Sequence, residues 1–344
     1  MMIKSCISAF AILQYLFIKK GRHISKKIEE NIISKYHVIV NNITICFDNM
    51  EWNCQTFISK GDQSKRPMIV LHGMYSSAIE WHNLFNKFDC DVYFIDIPGC
   101  GRCDIKSERK VLFDDYCTFL SLYLDEMGIE KTNILAHSFG AHIAAFFCKT
   151  YPSRVNSLIF AGPSCLFPIA GPNGFYVGIF FKFRILYYIM RYVGFISMLF
   201  RGFNTDCYNL AHSCRSIQLF SSCITINYNP PSVYINKPTF NYVMGKHISF
   251  IWGRHDNVIP YKHGEVLKKL CPNVNSYLID CDHSMYKNPE FANTVKQCLK
   301  SACIIDSNKQ IDDRLAKETG VRAYPLYSRS IDSANKFYNF IING

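Results

Sequence analysis

The feature that most constrains the fold of this chain is a series of short, continuous apolar runs, each ending in turn residues. The runs are Met68–Leu71, Val92–Ile97, Asn133–Ala136, Leu158–Ala161, Ile248–Trp252 and Ser276–Ile279. Continuous apolarity is typical of strands that are buried on both faces of a parallel sheet. Helical stretches at Tyr116–Met127 and Ala141–Thr150 separate some of the runs. The sequence therefore predicts an α/β fold with a mostly parallel, doubly wound sheet.

The alternation of strands and helices breaks over residues 166–244, which are rich in Phe, Ile, Tyr and Leu. An insertion of this length between two strands predicts a helical cap. The cap divides a core that covers residues 36–165 and 245–300, and this core begins with an antiparallel hairpin over His37–Phe47 and Trp52–Ser59. Residues 1–35 form an apolar and basic N-terminal segment, and the polar residues 301–344 form a tail.

Composition narrows the classes of function. Hydrophobic residues make up 49% of the 344 residues, enough for a large buried core. The net charge of +11 is dispersed, without the basic and aromatic groove of a nucleic-acid reader, so we expect no nucleic-acid partner. Such a charge serves either solubility or attraction to anionic lipid surfaces, and the apolar segments of the chain favour the second.

The 16 cysteines are expected to be reduced rather than to form a disulfide framework. Several lie inside apolar runs, among them Cys46, Cys148 and Cys165, and we interpret them as buried core residues. Cys100 and Cys103 form a CxxC pair without a second pair or a suitably spaced histidine. We therefore expect no metal site and no cofactor.

The N-terminus carries an apolar run, Cys6–Ile18, flanked by basic residues. Its thirteen residues fall short of the roughly 20 needed to cross a bilayer. Two interpretations stand: a helix lying on a membrane surface, which the reduced cysteines favour, and the core of a secretory signal. We expect a cytoplasmic protein at the periphery of a membrane, with secretion as the alternative.

The candidate nucleophile is Ser138, in the stretch Ala136-His137-Ser138-Phe139-Gly140. An apolar strand here runs into a helix through a small-x-Ser-x-Gly turn. A nucleophilic serine needs such a sharp turn to stand exposed at the edge of the sheet, so the residues two places away must be small. Alanine replaces the usual first glycine. Taken alone, the motif is equally compatible with an ordinary strand–helix turn.

Three further elements support catalysis. His72-Gly73 follows a buried strand, which makes the backbone N–H groups of Met74 and Phe139 the candidate oxyanion hole. Asp256 and His283 then follow later strands, in the order Ser, Asp, His. A catalytic histidine needs a carboxylate on its far nitrogen, and Asp256 suits this better than Asp282, which is adjacent to the histidine and faces away in most turns.

With these residues in hand, the sequence resembles the α/β-hydrolase-domain lipid enzymes. It is most similar to the branch of N-acyl phospholipid hydrolases, lysophospholipases and lysophosphatidic-acid acyltransferases. The resemblance covers residues 67–163 and 247–298, in stretches such as IVLHGMYSSAIEWHNLF and NILAHSFGAHIAAFFCKTYPSRVNSLIFAGP. It implies an α/β-hydrolase fold, a structural role for Asp96 in the loop Asp96–Cys103, and lipid acyl esters as substrates.

The same resemblance bears on the reaction. Members of that branch often carry His-x-x-x-x-Asp after the base histidine, a motif associated with acyltransfer, whereas Asn288 stands at that spacing here. We therefore expect a carboxylic ester hydrolase that forms an acyl-enzyme on Ser138 and contacts a membrane surface peripherally. The alternatives are a peptidase or amidase on the same fold, and a non-catalytic lipid-binding scaffold.

Overall fold

The computed structural model describes Lys19 and residues 23–302, apart from residues 75, 108, 110, 165–245 and 271–273. The predicted cap, the apolar run Cys6–Ile18 and the tail beyond residue 302 lie outside the described residues. No described helix is both long enough and apolar enough to cross a bilayer.

Nine described strands form one sheet in the order β1-β2-β4-β3-β6-β7-β8-β9, with β5 paired to β2. The strands are β1 Ile39–Phe47, β2 Met50–Ser59, β3 Met68–Leu71, β4 Val92–Ile95, β5 Asp104–Ser107, β6 Thr132–His137, β7 Val155–Ala161, β8 His247–Gly253 and β9 Asn275–Ile279. From β4 to β9 every neighbouring pair is parallel, whereas β1, β2 and β5 pair antiparallel. The predicted fold class is confirmed.

The helices lie on both faces of the sheet. They are α1 (23–36), α2 Phe113–Glu126, α3 Phe139–Thr150, α4 Lys262–Leu270 and α5 (291–302), with 3-10 turns at Ala78–Leu84, Pro152–Arg154 and Met285–Lys287. Residues of α2 and α3 pack with one face of the central strands, and residues of α1, α5 and the first 3-10 turn pack with the other. The strands are apolar throughout because both faces are buried.

The hairpin β1–β2 shows why this part of the sequence was easy to predict. Asp48 and Asn49 both have positive φ angles, 47° and 58°. Short polar residues tolerate this left-handed backbone, and two such residues match the twist of the strands they join. Cys46 corrects one expectation, because its thiol is exposed rather than buried. Its neighbour Ile45 faces the core, and successive side chains of a strand point to opposite faces.

Helix α1 is fastened to the sheet through a buried carboxylate. Glu29 accepts a hydrogen bond from the Gln55 side chain at 3.0 Å and one from the Arg102 guanidinium at 2.6 Å. Ile32 of the same helix is buried in the core. This part of the N-terminal segment 1–35 therefore packs directly on the α/β core.

Candidate active site

Ser138 lies at a strained turn between β6 and α3. Its φ and ψ angles are 50° and −114°, a conformation that side chains rarely adopt and that accumulates at functional sites. The tight fit of α3 against β3 explains the glycine two residues later. A Cβ added at Gly140 would lie 2.6 Å from the carbonyl oxygens of Leu71 and His72. Alanine suffices two residues before Ser138, where Ala136 is fully buried within β6.

The structure brings Asp256 and His283 together. Asp256 Oδ2 lies 2.7 Å from His283 Nδ1. The other carboxylate oxygen, Oδ1, accepts the backbone N–H groups of Val258 and Ile259 at 2.8 and 2.7 Å. Since a carboxylate only accepts, His283 donates from Nδ1, which leaves Nε2 as the basic nitrogen. Asp256 is buried, with no exposed side-chain surface, whereas the His283 side chain is 20% exposed.

Asp282 is not the partner of His283. Its Oδ1 accepts the backbone N–H of Ser284 at 2.8 Å on the protein surface. This bond holds the Asp282 carboxylate on the backbone just after His283, whereas the carboxylate bonded to the imidazole is that of Asp256.

Two close approaches connect the Asp256–His283 pair with Ser138. The Ser138 N–H donates to Ala161 O at 3.0 Å. The next residue, Gly162, has a positive φ of 50°, and a Cβ there would lie 3.2 Å from Asp256 Oδ2 and 3.4 Å from His283 Cε1. The serine backbone and the acid–base pair therefore meet at the same turn after β7.

The candidate oxyanion residues flank the serine. Phe139 is the first residue of α3, and Met74 follows Gly73 in the turn after β3. A Cβ added at Gly73 would lie 3.1 Å from Ser138 Cβ, so this turn passes directly beside the nucleophile. Met74 and Phe139 therefore remain the candidates for the two backbone donors of an oxyanion hole.

His72 fixes the orientation of that turn. Its Nδ1 donates to Gly73 O at 2.7 Å, and its Nε2 accepts the Ile97 N–H at 2.9 Å. Burial lowers the pKa of His72 to about 4, which keeps the ring neutral. The Gly73 carbonyl and the Met74 N–H belong to one planar peptide unit, so a bond that holds the first also sets the direction of the second.

Asp96 has the structural position that the resemblance implies. Its carboxylate accepts the backbone N–H groups of Ala78 and Arg102 at 2.7 and 2.9 Å, and burial raises its pKa to about 7. The carboxylate thereby joins the loop Asp96–Cys103 to the first 3-10 turn.

Sequence reasoning missed a polar and aromatic cluster behind His283. Buried Glu80 accepts hydrogen bonds from the hydroxyls of Ser76 and of Tyr286, the latter at 3.1 Å. Tyr286 stacks on Trp81 with ring centroids 4.9 Å apart. Glu80 and Tyr286 are 206 residues apart in sequence, and no local pattern signals such a contact.

The comparisons with known proteins agree with this architecture. The family model described as "alpha/beta hydrolase fold" matches residues 66–180. A crystal structure of a membrane phospholipase A, titled a novel bacterial virulence factor, superposes with a TM-score of 0.63 over 88% of this chain and 98% of that one, at 15% identity. The chain therefore has the α/β-hydrolase fold.

Two curated relatives fall in the branch that the sequence resembles. "Abhydrolase domain-containing protein abhd-5.2" of Caenorhabditis elegans is 28% identical over 130 residues, 35% of this chain and 29% of that protein. "1-acylglycerol-3-phosphate O-acyltransferase ABHD5" of Homo sapiens is 27% identical over 126 residues, 35% of this chain and 36% of that protein. The matched region thus spans about a third of the length of these relatives.

Proposed function

We propose that this protein is a serine hydrolase that cleaves carboxylic esters of lipids, of the lysophospholipid or acylglycerol type. The observation that carries the proposal is the hydrogen-bonded pair of Asp256 and His283 beside the strained turn of Ser138. A hydroxyl becomes an effective nucleophile when a neighbouring base removes its proton and a third group orients that base. The names of the human relative and of the phospholipase neighbour support lipid esters as the substrate class.

The reaction follows from these roles. Ser138 Oγ attacks the ester carbonyl while His283 Nε2 takes the hydroxyl proton, and the N–H groups of Met74 and Phe139 hold the oxyanion. The C–O bond then breaks, and His283 returns the proton to the leaving alcohol. Water, activated by His283, next cleaves the acyl-serine to release the fatty acid and restore the serine.

The residue at position 288 favours water over a lipid alcohol as the acyl acceptor. Its amide nitrogen donates to Asp280 O at 3.0 Å, and its Oδ1 accepts the Glu290 N–H at 2.8 Å. Both polar ends of this side chain are used within the loop before α5. The position at which related acyltransferases often carry an aspartate thus has a local structural role in this chain.

The nucleophile is tested with a fluorophosphonate probe on the full-length protein. The probe should label Ser138, and Ser138→Ala should lose both labelling and esterase turnover while keeping its circular dichroism spectrum. Absence of labelling in the folded wild-type protein would favour a non-catalytic lipid-binding scaffold. Labelling that persists in the alanine variant would mean that another residue is the nucleophile.

The substrate class is tested with p-nitrophenyl esters from acetate to palmitate, and with matched amides. Each buried methylene should contribute about 0.8 kcal/mol to acyl binding, so kcat/KM should rise with chain length until the pocket is full. Vesicles containing anionic lipid should bind the protein more strongly than neutral vesicles, because the chain carries a net charge of +11. Preference for acetate without vesicle binding would indicate a small-ester hydrolase, and faster turnover of amides would indicate an amidase.

A further inference from the structure

His137, the residue before the candidate nucleophile, is buried against the loop that carries His283. Its Nε2 lies 2.8 Å from the backbone carbonyl oxygen of His283. Because a carbonyl only accepts, Nε2 carries the proton and donates. The two imidazole rings also lie against one another, with centroids 4.6 Å apart and planes tilted by 44°. His137 therefore touches the candidate base through both its ring face and a directed hydrogen bond.

The surroundings of His137 hold its ring in one orientation. Tyr286 lies edge-on to the ring at 5.6 Å and Trp81 edge-on at 5.9 Å. On its far side, Nδ1 points toward Gly73, where an added Cβ would lie only 2.9 Å away. This close approach explains why Gly73 has no side chain.

Burial and the neighbouring His283 lower the pKa of His137 well below 6.5. The ring therefore stays neutral near physiological pH. The proton on Nε2 is donated to the His283 carbonyl. His137 can therefore hold His283 in place, but its Nε2 is not available to act as the base itself.

The peptide unit after His283 is held from two sides. His137 binds its carbonyl in the interior, whereas Asp282 binds its N–H, that of Ser284, at the surface. The bond from His137 is partly buried, whereas the bond to Asp282 is exposed, and water competes less with a hydrogen bond as its surroundings become less polar. We therefore expect the bond from His137 to contribute more than the bond to Asp282 to fixing the backbone from which the imidazole of His283 projects.

We propose that His137 is a positioning residue that holds His283 in register with Ser138 by donating a hydrogen bond to the His283 backbone carbonyl. This inference rests on the proposed function, because it needs His283 to act as the base. It assigns the neutral, Nε2-protonated form of His137 as the working form. Misplacement of a catalytic group by about 1 Å can cost on the order of 10²-fold in rate.

The first experiment compares His137→Leu with His137→Gln in the full chain. Leucine removes the donor, whereas the terminal amide of glutamine supplies one at a similar reach. His137→Leu should lower kcat and the rate of fluorophosphonate labelling of Ser138 by on the order of 10²-fold, with KM little changed. His137→Gln should recover at least about tenfold of that loss, because the hydrogen bond rather than the ring is the essential element.

A matched control is His82→Leu. His82 also bonds to a backbone carbonyl, that of Ile79 at 3.1 Å, but it packs beside Tyr36 rather than His283. This variant should label at the wild-type rate. Equal labelling of wild type and His137→Leu, or a glutamine variant as slow as the leucine one, would overturn the positioning role. A wild-type protein that does not label at all would instead reject the proposed function.

A second measurement needs no variant to fold. Nitrogen-15 NMR of the imidazoles in the wild-type protein should show His137 neutral, with its proton on Nε2, throughout pH 6 to 9. A His137 that titrates within this range, or that carries its proton on Nδ1, would contradict the assignment whatever the variants do.

Discussion

At the scale of single residues, the two candidate partners of His283, Asp256 and Asp282, differ in the backbone N–H groups that their carboxylates accept. Asp256 is buried and already receives two backbone N–H groups on one oxygen, so its other oxygen is directed at His283. Asp282 is exposed, and its Oδ1 accepts the N–H two residues later. The first carboxylate can fix the tautomer of the histidine and stabilise its charged form, whereas the second contributes only to a surface turn.

Replacement of Asp256 by asparagine should lower kcat by roughly 10⁴-fold, by analogy with the well-studied serine proteases, because His283 would then favour the wrong tautomer. Asp282→Asn is the matched control and should keep activity within about threefold of wild type, since exposed hydrogen bonds contribute little. Steady-state kinetics on a p-nitrophenyl ester measure both. Near-normal turnover in Asp256→Asn would show that another carboxylate serves His283.

Asp96 and His72 give the stability of the protein opposite responses to pH. Burial raises the pKa of Asp96 to about 7 from 3.8, so between these values the folded protein keeps a proton that the unfolded chain releases. Stability therefore falls as pH rises from about 4 to 7. His72, with its pKa lowered to about 4 from 6.5, binds a proton only in the unfolded chain over that window, so its contribution rises with pH.

Replacement of Asp96 by asparagine removes the falling contribution and leaves that of His72. Relative to wild type, the free energy of unfolding of Asp96→Asn should climb by on the order of 1 kcal/mol per pH unit between about pH 4 and 7, and then level off. Urea titrations at several pH values measure this slope separately from any constant loss of stability. Parallel curves for the two proteins would refute the assigned titration of Asp96.

At the scale of elements, the approach of α3 to β3 depends on one missing side chain. Gly140 lies inside a helix, where alanine would ordinarily be stabilising by about 1 kcal/mol. Here a Cβ would lie 2.6 Å from two backbone carbonyl oxygens, and backbone cannot move aside as the end of a flexible side chain can. The helix would have to shift away from the strand and carry Ser138 with it.

We therefore expect Gly140→Ala to lower the free energy of unfolding by about 3 kcal/mol and to reduce turnover. Gly128→Ala is a suitable comparison, because Gly128 follows α2 with a positive φ of 66° and nothing lies within 4 Å of an added Cβ. That variant should lose only about 1 kcal/mol from backbone strain. Chemical denaturation would contradict the steric argument if it found the two variants equally stable.

The individual strands and helices differ in how well the sequence alone predicts them. Strands β3 and β6 were readily predicted because burial on both faces removes polar residues from them. Strand β5 was missed, since Asp104 and Lys106 alternate with half-buried residues and pairing with β2 is its main support. The sequence places helix α1 only within an apolar and basic segment, because a glutamate is typical of a surface position and the partners of Glu29, Arg102 and Gln55, lie far away in the sequence.

At the scale of the whole molecule, the candidate site draws on the ends of five parallel strands that are far apart in sequence. Motifs around Ser138, Asp256 and His283 predict the main participants, because each motif has a local backbone requirement. The supporting contacts of His137 with His283, and of Glu80 with Tyr286, have none. They form only once the strands have assembled into the sheet, because the partners are 146 and 206 residues apart in sequence.

The positive φ angle at Ser138 couples the activity of the protein to a loss of stability. Glycine adopts such a backbone freely, whereas any side chain there is strained by about 1 to 3 kcal/mol. Both Ser138→Gly and Ser138→Ala remove the nucleophile, but only glycine removes the Cβ. We expect the free energy of unfolding of the glycine variant to exceed that of the alanine variant by about 1 kcal/mol, the reverse of their usual order. Thermal melts measure this difference. A more stable alanine variant would show that this turn stores no strain. A descendant of this chain that no longer needed turnover would thus gain stability by exchanging the serine for glycine, so a glycine at this position in a related protein would be compatible with an intact fold.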